Sequence, residues 1–441
     1  MKLDFAINNG HVLFNKSGII SIEKINVGVR DGKIASFSSN HLEAERKLDA
    51  EHLHILPGVI DSQVHFREPG LTHKEDLESG TASAAMGGVT SIFDMPNSQP
   101  PTTNVERLQE KFNLAKGRAW VNYAFYGGAA RDNLEQISAM ESLPGCSGIK
   151  IFLGSSFGSL LVDNDEALEK IMSQCHRRVI IHAEDEARLK ERKALVLASK
   201  DVKQHHVWRD PETCFRATAR VLTLARKLNK KVHILHVSTK EEVELLSRNK
   251  DLASFEITPN HLTLEAPECY ERLGTLAQMN PPIREKSHQD VLWRAVRDGL
   301  ADVIGTDHAP HTLAEKSQEY PKSPSGMPGV QTLVPVMLTH VSEKKLSLQR
   351  LVDLVCENPR HVFGCNTKGR IDLGYDADFT IVDLKKQRVI ENSWIKSRCG
   401  WTPFDGMKAT GWPTHTIVGG QVVMENDQLR IPSLGQKILF S

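Results

Sequence analysis

The feature that most constrains this chain is a series of short apolar runs recurring between helical stretches. Eight can be read, at residues 55–66, 89–96, 120–128, 148–154, 178–185, 231–238, 255–264 and 302–311. Runs this short and this apolar suit strands buried on both faces, and a sheet covered on both faces by helices is a parallel one. Helical periodicity fills the gaps, as at 104–116 and 217–228. Eight strand–helix units predict an α/β fold, a closed (β/α)8 barrel of the TIM type. The seventh run fits least well, because Pro259 lies inside it and proline cannot donate to a strand ladder.

Both ends of the chain have a different character. Residues 5–14 and 25–37 read as short strands, with Asp31-Gly32 as a hairpin turn in the second. Residues 378–383 and 415–424 read the same way, and Gly419-Gly420 marks the turn. An α/β middle between β-rich ends predicts a small β-sandwich built from 1–54 and 370–441, with the barrel spanning 55–369. The 441 residues accommodate both, since such a barrel takes roughly 250.

Charge excludes several function classes. Lys plus Arg and Asp plus Glu both number 55, so no net field gathers nucleic acid or an anionic membrane surface. The seven cysteines are scattered and form no CxxC pair, which indicates neither a disulfide framework nor a thiolate metal site. A reducing cytoplasm is the expected home. The N-terminus lacks the pattern of a signal peptide, and no apolar run reaches membrane-spanning length.

Barrels of this kind carry their active sites at the C-terminal strand ends. The first run ends Asp61-Ser-Gln63-Val-His65-Phe-Arg67, and the fourth places Lys150 between Ile149 and Ile151. The fifth ends at His182-Ala-Glu-Asp, the sixth at His236-Val-Ser, and the eighth at Thr306-Asp307-His308-Ala-Pro-His311. Any one histidine there is ordinarily a satisfied polar residue, and Asp307 alone would read as a helix cap. Three histidines, a carboxylate and a lysine on one rim are a different matter. Neutral imidazoles with a hard carboxylate oxygen suit zinc or another divalent transition metal. A lysine ammonium on a buried strand is costly unless chemistry or a partner relieves it.

The motifs DSQVHFREPGLTHKED, GIKIFLGSS, HAED, LHVS, MNPPIR and GTDHAPH occur in that order, with LPGVID before them and GYDADFTIVDL after. As a set they resemble the dihydroorotases, cyclic amidases of the amidohydrolase superfamily, over nearly the whole chain. The resemblance implies a carboxylated Lys150 shared by one or two zinc ions, with His182 and His236 on one and His65 and Asp307 on the other. It also implies a water activated between the metals, whose proton Asp307 takes and passes to the leaving nitrogen. A homodimer is expected from it too.

This sequence departs at Gln63 from the usual superfamily pattern, His-x-His, whose first histidine it replaces, although some dihydroorotase-like sequences share the QVHFREPG form. Glutamine is a poor zinc ligand beside imidazole, which points to a weak second metal and a one-metal enzyme.

For the substrate, Arg67 lies two residues beyond His65 and so on the same strand face. Its guanidinium suits a carboxylate-bearing small molecule, although Glu68, Glu75 and Asp76 offer it structural ion pairs instead. The resemblance adds Asn97, Asn280 and His311 as substrate contacts, each of them also explicable as a turn residue or local hydrogen-bonding group. His308 is expected to orient Asp307 or hold the loop. The glycines of 323–330 would let backbone approach the ring. His205-His206 reads as solvated surface. The leading expectation is reversible hydrolysis of dihydroorotate to N-carbamoyl aspartate. An allantoinase- or hydantoinase-type amidase and a non-catalytic scaffold subunit are the alternatives.

Overall fold

In the computed structural model, residues 2–16, 18–154, 160–430 and 435–441 are described. Eight parallel strands run in sequence order around the centre. They are β1 (Val59–Val64), β2 (Val89–Asp94), β3 (Asn122–Gly128), β4 (Cys146–Phe152), β5 (Val179–His182), β6 (Val232–Ile234), β7 (Ala253–Ile257) and β8 (Val303–Ile304). Every residue in them is buried, as strands lined by helices outside and side chains inside must be. The ring closes just past β8, where Val64 bridges His308 and the His65 N–H donates to the His308 carbonyl at 2.7 Å. The predicted (β/α)8 barrel is therefore the observed one.

Two predicted strands need correction. Run 55–66 is two strands in two different sheets. His54–Pro57 pairs with Phe379–Val389 in a terminal sheet, and the chain enters β1 only after Gly58. A side chain at Gly58 would stand 2.4 Å from the Thr90 hydroxyl, so glycine permits the crossing. Run 255–264 stops being a strand at Ile257. Pro259 instead opens a short helix, Pro259–Thr263, capped by the Thr258 side chain.

The chain ends form a four-stranded and a seven-stranded sheet. Asp31-Gly32 makes the expected hairpin turn between Asn26–Arg30 and Lys33–Ser38. Phe5, Ile7, Val27 and Ile55 from the N-terminal part pack with Phe379, Ile381 and Ile417 from the C-terminal part. Residues 435–441 leave these sheets and lie against the barrel, where Ile438 is buried with Phe93, Tyr126 and Phe363. Residues near 394–401 return to the catalytic end of the barrel, and the Trp401 indole donates to the His311 carbonyl at 2.8 Å. All seven cysteines are buried and free. Among the described residues no helix is long and apolar enough to cross a membrane.

Candidate active site

The rim formed by β1, β4, β5, β6 and the turn after β8 gathers His65, Lys150, His182, His236 and Asp307. Arg67, His236 and Asp307 have positive φ values of 62°, 39° and 51°. Left-handed backbone at a non-glycine residue costs about 1–3 kcal/mol and persists where the surroundings over-determine it, commonly at functional sites.

One half of the rim is braced by charge. His182 Nε2 lies 2.8 Å from a Glu184 oxygen, and Glu184 takes a fork from Arg209 at 2.9 and 2.5 Å. Burial alone would raise the Glu184 pKa, but Arg209 and His182 hold it well below the usual carboxylate range. An ionised carboxylate only accepts, so His182 carries its proton on Nε2 and turns the Nδ1 lone pair inward. That Nδ1 stands 3.0 Å from His236 Nε2. Burial lowers the pKa of both histidines, and Lys150 lowers each further. The Lys150 amine is fully buried, sits 4.5 Å over the Phe152 ring and has no hydrogen-bond partner among the described residues. Burial lowers its pKa to about 7, against the pull of Asp307 and Glu256. Of the run 148–156 in which it lies, residues 155–156 fall outside the described residues.

The other half is braced by neutral amides. His65 Nδ1 lies 2.6 Å from Asn97 Oδ1, and its Nε2 lies 3.0 Å from Asp307 Oδ1. The Gln63 amide donates to the same Asp307 oxygen at 3.0 Å, leaving Gln63 Oε1 buried without a partner among the described residues. Asn97 Oδ1 can only accept, so His65 Nε2 presents a lone pair to a carboxylate oxygen. Two acceptors that close call for a cation between them, either a proton or a metal. Beneath, the Asp61 carboxylate takes the Thr306 N–H at 3.0 Å and the Gln63 N–H at 3.2 Å. This ties β1 to the turn carrying Asp307.

Arg67 donates from Nε to the Pro310 carbonyl at 3.2 Å, and its Nη2 is 3.3 Å from His311 Nε2. No carboxylate among the described residues lies within ion-pair distance of it. Glu68 pairs with Arg118 at 2.9 Å, Asp76 with Arg398, and Glu75 bonds Ser79 and Ser397. The structural ion pairs that the sequence offered Arg67 are thus not made. Burial lowers its pKa to about 10, with Asp307 opposing.

Other expectations resolve differently. Asn97 and Asn280 both spend their side-chain oxygens on histidines, Asn97 on His65 and Asn280 on His205 at 3.0 Å. His205 is fully buried and also contacts the Tyr320 hydroxyl at 3.1 Å, so reading it as solvated surface was incorrect. Burial, then Arg209, pushes its pKa down to about 3. His206 stacks on Tyr270 at 5.5 Å. His308 accepts the Gly329 N–H at 3.0 Å and so holds the loop after β8, without touching the Asp307 carboxylate. In that loop Gly326 has φ 143°, and a Cβ there would stand 2.5 Å from the Ala309 carbonyl. Sequence reasoning missed the Arg209–Glu184 pair and the Asp61–Thr306 tie. The one local signal for the first was a carboxylate two residues after a strand-end histidine.

The Amidohydrolase family profile matches residues 54–423. The chain belongs to the amidohydrolase family. A dihydroorotase of Methanosarcina acetivorans is 33% identical over 443 residues, covering 97% of this chain and 93% of that protein. A dihydroorotase of Pyrococcus abyssi is 35% identical over 415 residues, covering 94% of each. Among solved structures, an L-hydantoinase (dihydropyrimidinase) from Arthrobacter aurescens superposes with a TM-score of 0.94 at 30% identity, covering 99% of this chain and 100% of that one.

Amidohydrolases are generally metal-dependent, and the donors of this member fit a metal. Among the described residues no three His, Cys, Asp or Glu side chains are already gathered into a cage. The donors instead face one another in two acceptor-rich pairs, His182 with His236 and His65 with Asp307. The unpartnered Lys150 amine lies between them in the electrostatic sense, coupled to His182, His236 and Asp307. A lysine is a poor ligand as an ammonium, and becomes an anionic oxygen donor once carboxylated.

Proposed function

We propose that this amidohydrolase opens dihydroorotate to N-carbamoyl aspartate and closes it again in reverse. The observation that carries this reading is Arg67, a half-buried guanidinium beside His311 at the rim, without a carboxylate partner among the described residues. A cation so placed suits a substrate carboxylate, which dihydroorotate has and simple hydantoins lack. The dihydroorotase names of its relatives support the same choice.

The reading includes one or two zinc ions, held by His182, His236 and carboxylated Lys150 on one side, and by His65, Lys150 and Asp307 on the other. Bound there, zinc supplies a Lewis acid for the amide carbonyl and an acidified water. A lysine amine with its pKa near 7 is substantially neutral at working pH, as reaction with carbon dioxide requires. Arg67 and His311 hold the ring carboxylate. Asn97 and Asn280 present their amide N–H groups. Gln63 and His65 occupy Asp307 Oδ1, so the second carboxylate oxygen is the one that takes a proton from water. It returns that proton to the ring nitrogen as the C–N bond breaks. The protein acts as a homodimer in the cytoplasm, where its free buried thiols stay reduced.

A hydantoinase-type activity is the second reading, favoured by the structural likeness to the Arthrobacter enzyme. Turnover of dihydroorotate and N-carbamoyl aspartate by the zinc-loaded protein, beside Arg67→Ala, separates the two. Activity that collapses in the variant supports the carboxylated ring. Turnover of hydantoin or dihydrouracil, indifferent to Arg67, overturns it.

A further inference from the structure

Lys74, in the motif His73-Lys74-Glu75-Asp76, has no part in the reading above. Its side chain is 13% exposed and held by Glu315 at 3.0 Å. Its amine stands 3.2 Å from His311 Nδ1. The opposite ring nitrogen, Nε2, is 3.3 Å from Arg67 Nη2 and 3.1 Å from the Ser325 carbonyl. Lys74 and Arg67 are donor-only groups, and a neutral imidazole has a single lone pair for the two of them. His311 stays neutral, since burial and then Arg67, Lys74 and Lys316 all drive its pKa far down. The Ser325 carbonyl agrees with Lys74 on the tautomer. It can only accept, so the proton sits on Nε2 and the lone pair on Nδ1 faces Lys74. Arg67 Nη2 and His311 Nε2 are then two donors side by side, and the Ser325 carbonyl faces His311 Nε2.

We infer that Lys74, steadied by Glu315, is a positioning residue that sets the His311 tautomer and makes Arg67 and His311 a joint donor pair for one carboxylate oxygen of the substrate. The substrate half of this inference rests on the proposed function, and the tautomer half does not. Without Lys74 only the Ser325 carbonyl opposes the other form, in which Nδ1–H faces Glu315 at 3.8 Å and the Nε2 lone pair, turned toward the incoming anion, takes the Arg67 N–H.

The test uses zinc-loaded full-length protein with 15N-labelled histidine, the His311 signals being assigned by their loss in His311→Gln. Wild type shows the Nε2–H pattern. Lys74→Met shifts His311 toward the Nδ1–H form, and Lys74→Arg, still a donor, keeps the wild-type pattern. The KM for dihydroorotate rises about tenfold in Lys74→Met while kcat changes less than about twofold, in line with the loss of a charge-assisted contact made in the ground state. Should Lys74→Met fail to fold, Glu315→Gln releases the same lysine and is read the same way. An unchanged His311 spectrum overturns the inference whatever the enzyme acts on. A shifted spectrum in a protein that leaves dihydroorotate untouched supports the tautomer lock and overturns the substrate.

Discussion

The two halves of the rim are built from the same kinds of donor side chain but braced in opposite ways. On the β5–β6 side, His182 leans on a buried ionised carboxylate locked by Arg209. On the β1–β8 side, His65 and Asp307 lean on the side-chain amides of Asn97 and Gln63. A carboxylate behind an imidazole fixes its tautomer and raises its basicity as a ligand, whereas a neutral amide oxygen fixes tautomer and orientation without adding negative charge. On the proposed reading, the β5–β6 half would be the tighter metal position and the β1–β8 half the looser one. Lys150 is the donor that the two halves would share under that reading.

The largest effect should come from erasing what the halves share. Lys150→Ala removes the common donor, and activity is expected to fall about a thousandfold or more, given the several kcal/mol a catalytic metal contributes. Metal content by elemental analysis should fall with it. A Lys150→Ala protein that keeps full metal would show that each half holds its ion unaided.

Breaking one brace should weaken one half only. Glu184→Gln is expected to lower affinity for the tighter metal about 10–100-fold. Arg209→Met strips the fully buried Glu184 carboxylate of its guanidinium partner, which costs about 3–5 kcal/mol of stability, to be read from denaturant unfolding. Equal metal loss from both sites in Glu184→Gln would dissolve the distinction. Asn97→Ala, on the neutral side, should cost about tenfold or less, since outer hydrogen-bond partners of ligands span about 10–100-fold and a neutral one belongs at the low end.

The pH dependence of loading sharpens the comparison further. Only neutral Lys150 reacts with carbon dioxide, and its pKa is lowered to about 7. The neutral fraction grows as pH rises through 7, so bicarbonate-dependent reactivation of decarboxylated protein should speed up between about pH 6 and 8 and level off above that. The smallest expected change is Gln63→His. It offers the looser half an imidazole and should move retained metal from about one equivalent toward two with little change in melting temperature.

The barrel was legible because burial on both faces leaves a local mark, uninterrupted apolar runs at regular spacing, and because strand ends in such barrels converge by topology. For the same reason the motifs could place His65, Lys150, His182, His236 and Asp307 at strand ends. The terminal hairpin at Asp31-Gly32 was equally local. The split of 55–66 was not legible, since apolar residues on either side of Gly58 serve two sheets that only the folded chain distinguishes. His205 was misread because its neighbours in sequence are polar, while its partners Tyr320, Met279 and Asn280 arrive from over seventy residues away. Arg209 reaches Glu184 across 25 residues, and Lys74 reaches His311 across 237.

By itself, then, the sequence determined the strand order, the closed barrel and the kinds of donor side chain on its rim, because periodicity and residue chemistry are carried by short stretches of chain. Tertiary structure alone decided which side chain holds which. Tautomers, proton positions and the unequal bracing of the two halves depend on which donors and acceptors long-range folding brings within 3 Å or so, and no local pattern encodes that.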